Sequence, residues 1–200
     1  MSALLFTFGY RDRAMGSFAE HPAAAGRIIR RDLYDFDDIN LDDVSVLLFS
    51  MHADQRFLAA RAGRIAEFVR NGGTVLANGH IAYPFLPDIG AYTPAPGQSL
   101  KHLRIRRVAE HAIWKGVNED DLTFRRGVAG FYGRGGHQPP PGATVIHTVG
   151  QDAQPVDFIY RLGAGRVLIH GGNDLWQYGG GDSTALIAPQ LIAWLFGDSI

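Results

Sequence analysis

Eight histidines are distributed along the 200 residues, and three of them stand directly after apolar runs. His52 follows VSVLLFS and Met51, His80 follows TVLANG, and His170 closes RVLIH. An imidazole at such a place can carry a proton near neutral pH, hold a polar ligand or ligate a metal. In an open parallel sheet, ligands bind outside the carboxyl ends of the strands, which is where these three residues are expected. The same ends bring Ser50, Asn78, Gly79, Asn173 and Asp174, and the first strand adds Gly9-Tyr10-Arg11-Asp12. Candidates for proton transfer are therefore His170, His80, His52 and Asp174, and candidates for ligand contact are Asn78, Gly79, Tyr10 and Asn173. Polar residues and glycines also serve strand-to-helix turns with no further duty. A three-ligand metal site is geometrically open to these residues, but no HxH or HxxxH pair exists, and no metal or cofactor is expected.

Other chemistries fail on spacing. No cysteine is present, which excludes disulfides, thiolate metal sites and a thiol nucleophile. NGGTVLANG contains no GxxxxGK[ST], and Gly163-Ala164-Gly165 precedes an apolar run where a dinucleotide fingerprint follows one. Ser50 lacks the flanking glycines of a nucleophile elbow. Gly179-Gly180-Gly181 with Asp182, Ser183 and Thr184 opens a helix, and reads as a joint plus an N-cap more readily than as an anion site. Trp114, Trp176, Tyr132 and Tyr178 suit either a stacking surface for a sugar or the aromatic part of a core.

The elements that must position these residues follow from periodicity. Residues 3–8, 44–50, 74–77 and 166–170 are apolar almost throughout, as strands covered on both faces are. Another strand is expected over 27–33. From Asp54 a helix of about eighteen residues is expected, with Leu58, Ala62, Ile65 and Val69 on one face and Asn71-Gly72-Gly73 as its exit. Strand, helix, glycine turn and strand make a right-handed βαβ unit. Residues 103–108 alternate apolar residues with Arg, as a half-exposed strand does. Residues 144–149 and 157–162 are strands, the second forming a hairpin with 166–170. Residues 184–196 are expected to form a buried helix, with Pro189 near its first turn or kinking it. The stretch 83–142 is an irregular insertion in a single domain spanning 1–200. Its segment 127–142, with six Gly and three consecutive Pro, is expected to be an exposed loop anchored by Phe131 and Tyr132.

With a net charge of −1 and 46% hydrophobic residues, the chain has no electrostatic basis for nucleic-acid binding and ample material for a core. The acidic cluster from Asp32 to Asp43 and the run Arg104, Arg106, Arg107 read as solvated faces. No stretch approaches the roughly twenty apolar residues of a membrane span, and the opening MSALLFTFGYRDR reads as a strand rather than a signal. A cytoplasmic protein is expected, with no membrane or nucleic-acid partner. A small-molecule ligand and a homo-oligomer are both compatible with it.

The passages DVSVLLFSMHADQ, FVRNGGTVLANGH and GRVLIHGGND resemble the class I glutamine amidotransferase-like superfamily. The look is nearest to its ThuA-like (trehalose-utilisation-like) and related branches, over residues 1–90 and 155–196. The resemblance implies a flavodoxin-like, doubly wound, mostly parallel sheet with helices on both faces. It also implies a Cys on a strained elbow after the fourth strand, activated by a His from the last strand and a Glu two residues on. Here Asn78 or Gly79 stands at the elbow, His170 at the histidine, and Gly172 in place of the glutamate. An amide or a glycine cannot attack a carboxamide, so glutaminase activity is excluded. Three readings follow: a non-catalytic amidotransferase-like domain binding a small polar, sugar-like ligand or a protein partner; a hydrolase or related enzyme using the His/Asp set; or a structural protein of an assembly.

Overall fold

The computed structural model describes residues 2–7 and 17–198. The strands are β1 (Ser2–Thr7), β2 (Ile28–Asp32), β3 (Val44–Phe49), β4 (Thr74–Asn78), β5 (Tyr92–Pro94), β6 (Ile105–Arg107), β7 (Phe124–Arg125), β8 (Val128–Ala129), β9 (Gly135–His137), β10 (Thr144–Val149), β11 (Gln154–Leu162) and β12 (Gly165–His170). Eight of them form one sheet in the order β2-β1-β3-β4-β12-β11-β10-β6. The first five in that order run parallel, and β11, β10 and β6 continue antiparallel. The parallel part has the winding order of flavodoxin-like sheets, whose switch point lies between β1 and β3.

The central runs are apolar throughout because successive side chains go to opposite faces and both faces are covered. Leu5, Val46, Leu48, Leu76 and Leu168 enter one core. Phe6, Leu47, Phe49, Val75, Val167 and Ile169 enter the other. The helices that flank and cap the sheet include α1 (Gln55–Ala59), α2 (Ala62–Arg70), α3 (Leu100–Leu103), α4 (Glu119–Thr123) and α5 (Ile187–Phe196). Leu191, Ile192 and Leu195 of α5 close the first core, while Ile65, Phe68 and Val69 of α2 close the second. Ile65 is fully buried. Ile65→Ala is expected to lower stability by about 2–5 kcal/mol in denaturant unfolding, as a core truncation with incomplete collapse. A change below roughly 0.5 kcal/mol would assign α2 a different buried face.

The single helix expected after Asp54 is two. Asp54 does cap it, its carboxylate accepting from the Arg56 and Phe57 amides at 3.0 and 3.1 Å. The break comes at Arg61, whose guanidinium takes the Phe57 carbonyl at 3.0 Å and pairs with Asp37. That carbonyl is the acceptor the Arg61 amide would use in a continuous helix, and the amide turns instead to Leu58 at 2.9 Å. The exit of α2 is as expected. Gly72 has φ +108°, and the Gly73 amide closes back on the Phe68 carbonyl at 3.0 Å. The strand expected over 103–108 is shorter, Ile105–Arg107, with Leu103 closing α3.

The segment 127–142 departs most from expectation. Tyr132 is 1% exposed, and Gly135, Gly136 and His137 are buried as β9, paired with β5. Phe131 and Arg134 remain exposed. The glycines are there for contact: a Cβ on Gly136 would stand 1.8 Å from the Pro155 carbonyl oxygen. Among the described residues, no helix is long and apolar enough to cross a membrane.

Candidate functional site

The ends of β3, β4 and β12 are tied to one another by side chains. Asn78 donates from Nδ2 to the Phe49 carbonyl at 2.9 Å and accepts the Leu175 amide at Oδ1, 3.0 Å. Asp174, fully buried, accepts the Ser50 hydroxyl at 2.7 Å and the Met51 amide at 2.6 Å. Burial raises the Asp174 carboxyl above the ordinary range, opposed by the Met51 and Ser50 donors and by the nearby His52 and His170. Asn78 and Asp174 thus lock the turn after β12 onto the neighbouring strand ends.

Gly79, one of the two positions at which the resemblance implies an elbow, has φ +88°. A Cβ there would stand 2.7 Å from Met51 Cβ and 2.9 Å from Met51 Cα. Position 79 thus has no space for a side chain, and at position 78 the Asn78 amide is committed to the Phe49 carbonyl and the Leu175 amide.

The three histidines occupy three settings. His52 is exposed and close enough to Asp174 to stabilise its charge. His80 stacks on Tyr92 at 3.9 Å between ring centroids. Its basicity is lowered, first by burial and then by His137 and Arg134. His170 is wholly buried. Asp174 links the first and third of these, while His80 belongs with Tyr92 and His137. Asn173 is half-buried between Gly172 and Asp174, and Tyr10 lies outside the described residues.

Around His170 is a polar network that the sequence did not announce. In the sheet register Asp157 of β11 faces His170 of β12 on one side and His147 of β10 on the other. Directly paired residues project to the same face, so three polar side chains meet inside the first core. Asp157 Oδ1 accepts from His170 Nδ1 at 2.6 Å. Its Oδ2 accepts from His147 Nδ1 at 2.9 Å and from the Tyr132 hydroxyl at 2.7 Å. Trp114 Nε1, which can only donate, reaches the Tyr132 oxygen at 2.7 Å, so the Tyr132 proton goes to Asp157. Arg107 Nε lies 3.4 Å from His147 Nε2 and keeps that nitrogen an acceptor. Burial by itself would raise the Asp157 carboxyl, but the two imidazoles outweigh it and hold the group far below the usual carboxylate range.

Nδ1 of His170 is committed to Asp157, and its Nε2 is buried with no partner. Tyr178 Oη and Trp176 Nε1, on the turn that follows, are also buried without partners. Tyr178 packs 5.2 Å from Tyr132 and 6.4 Å from His170, and Trp176 stacks on Phe18 at 5.5 Å. Burial raises the Tyr178 hydroxyl well above the ordinary phenol range, so it stays protonated. A Cβ on Gly172 would come 1.7 Å from the Tyr132 carbonyl oxygen and 2.9 Å from His170 Nε2. The carboxylate that the resemblance implies two residues beyond the histidine has no room here, and Asp157 of the adjacent strand orients the imidazole instead. Among the described residues, no group of three or more His, Asp or Glu side chains is arranged to hold a metal ion.

Sequence reasoning missed His147, Asp157 and the pairing of Tyr132 with them. The available signal was a histidine flanked by apolar residues inside the strand 144–149. Asp157 read as the flank of a strand that in fact begins at Gln154.

No protein-family profile matches the sequence, and no curated protein matches it. Solved structures do match, over nearly all of the chain. A cytoplasmic protein from Salmonella typhimurium aligns with a TM-score of 0.64 at 13% identity, covering 99% of both chains. A putative GMP synthase subunit from Thermoplasma acidophilum aligns at 0.54 and 10% identity, covering 98% of this chain and 96% of that one. A cold-adapted β-galactosidase from Rahnella sp. R3 aligns at 0.58 and 13% identity, covering 99% of this chain but 31% of the enzyme. The fold is a flavodoxin-like α/β sheet, shared with these solved structures. At these identities the likeness speaks for the fold and leaves activity to the site.

Proposed function

We propose that this chain is an amidotransferase-like domain without glutaminase activity that binds a small polar ligand beside His170. The observation that carries the reading is the trio of buried, unpartnered atoms, His170 Nε2, Trp176 Nε1 and Tyr178 Oη. Buried polar groups are almost always hydrogen-bonded, and each one left unpaired costs about 1–3 kcal/mol. One at the end of β12 and two on the turn that follows, at the carboxyl edge of the sheet, mark a place kept for a partner rather than for packing. Tight packing of their carbon frames fits a binding site pre-organised by Asp157 and Tyr132. Gly179, Gly180 and Gly181 are exposed, and a Cβ on any of them would meet nothing within 4 Å, which leaves the 175–178 turn a joint on which to open. The motifs shared with the ThuA-like branch and the cytoplasmic description of the Salmonella neighbour support a cytoplasmic member of that wider group.

The test needs no ligand. Tyr178→Phe removes a hydroxyl with no protein hydrogen-bond partner, and should raise stability by about 1 kcal/mol in denaturant unfolding, as function-bearing polar groups do when deleted. Loss of stability would show that the hydroxyl has a structural partner, and the reading would fall.

A further inference from the structure

We infer that copies of this chain join end to end, the acidic 3₁₀ helix Leu33–Asp38 of one seated in a basic groove beside β6 of the next. The interface is separate from the site at His170 and does not depend on it. The groove, about 400 Å³, is lined by Leu100, Lys101, Arg104, Arg106, Gly150 and Gln151. Of the basic run in the sequence, Arg107 turns inward and donates to the Trp114 and Val117 carbonyls at 3.1 and 2.6 Å. Arg104 and Arg106 instead join Lys101 around the groove. Arg104 pairs with Asp120 at 3.1 Å, whereas Lys101 and Arg106 are exposed and meet no carboxylate among the described residues. Backbone pairing is closed at this edge. The Ile105 and Arg107 amides donate to Thr123 Oγ1 at 3.0 Å and Glu119 Oε1 at 2.6 Å. What the edge offers a neighbour is positive charge, with Leu100, 42% exposed, as an apolar contact.

The counterpart lies at the other edge of the sheet. The 3₁₀ helix Leu33–Asp38 leaves the edge strand β2, and its three-residue period sorts its side chains onto three ridges. Leu33 and Phe36 enter the core. Tyr34 packs on Phe57, and Asp37 pairs with Arg61 and Arg64. Asp35 and Asp38 form the third ridge, exposed and without a cationic partner among the described residues. β2 and β6 are the two ends of the eight-stranded order, about 33 Å apart at the usual strand spacing. Opposite charges at opposite edges make a heterologous contact, which repeats along a chain or closes into a ring. With a net charge of −1, copies approach without long-range repulsion. Exposed ion pairs contribute about 0–1 kcal/mol each, so the association is weak and sensitive to salt.

Sedimentation velocity across a concentration series is the readout. The mass of the native protein should rise beyond a dimer, and return to the monomer as salt goes from about 0.1 M to about 1 M. Two double variants, Lys101→Gln with Arg106→Gln and Asp35→Asn with Asp38→Asn, change exposed positions only and should keep the native melting temperature. Each should self-associate about tenfold more weakly than the native chain. Mixed, each supplies the end that the other lacks, and a dimer that grows no further should form. A native chain that stays monomeric, or that stops at a dimer, overturns the proposal, as does association that survives either double variant. Native protein that is monomeric, with a Gly150 amide signal shifted by inorganic phosphate, overturns it too and gives the groove to a small anion.

Discussion

Asp157→Asn is expected to destabilise the fold by about 3–5 kcal/mol. Three donors converge on this carboxylate, from His170, His147 and Tyr132. The Asn amide would turn its own N–H groups toward at least one of them, where all four side chains are buried. The same residue sets a pH dependence. In the fold the two imidazoles hold its carboxyl well below the ordinary range, against a value near 3.9 in the unfolded chain. A depressed carboxylate contributes stability that is complete above the unfolded value and is lost as pH falls below about 4 toward the folded value. Denaturant midpoints measured between pH 6 and pH 2 should fall steeply at the acid end for the native sequence and less steeply for Asp157→Asn. Equal slopes, or a loss under about 1 kcal/mol at neutral pH, would mean the network adds little.

Gly172→Ala should cost about 3 kcal/mol, near the upper end of overpacking penalties, because its methyl would overlap a backbone oxygen rather than a movable side chain. The distances are 1.7 Å to the Tyr132 carbonyl oxygen and 2.9 Å to His170 Nε2. Gly180→Ala is the control, since nothing lies within 4 Å of its Cβ position, and it should change stability by less than about 1 kcal/mol. Similar unfolding midpoints for the two variants would show that the 171–173 turn yields easily and that His170 is not tightly enclosed.

What could be read from the sequence, and what could not, divides along the range of the interactions. β1, β3, β4 and β12 were legible because each is apolar on both faces, a property of a short run of residues. The exit of α2 was legible because Gly72 and Gly73 carry it locally. The helix break was not, since it depends on Asp37 meeting Arg61 from 24 residues away. The site was legible in part: the turns after β3, β4 and β12 do meet, through Asn78 and Asp174. Asp157 and His147 become partners only through the register of β10 against β11, which shifts on both sides of His147. The buried glycines of 127–142 misled for a related reason. Their composition is that of a loop, yet Gly135 and Gly136 are small because Thr93 and Pro155 backbone atoms press on them.

The contact between Gly79 and Met51 bears on how this chain can change over generations. A side chain at 79 meets two obstacles together, a left-handed backbone and the Cα and Cβ of Met51. Trimming the end of the Met51 side chain leaves both atoms where they are, so the β3 turn would have to shift before a cysteine could be seated. The first step on that path is unfavourable and brings no activity with it, because the thiol and the room for it are useful only together. Seating a nucleophile at position 79 therefore takes at least two coupled changes, one in the turn after β3 and one at 79 itself.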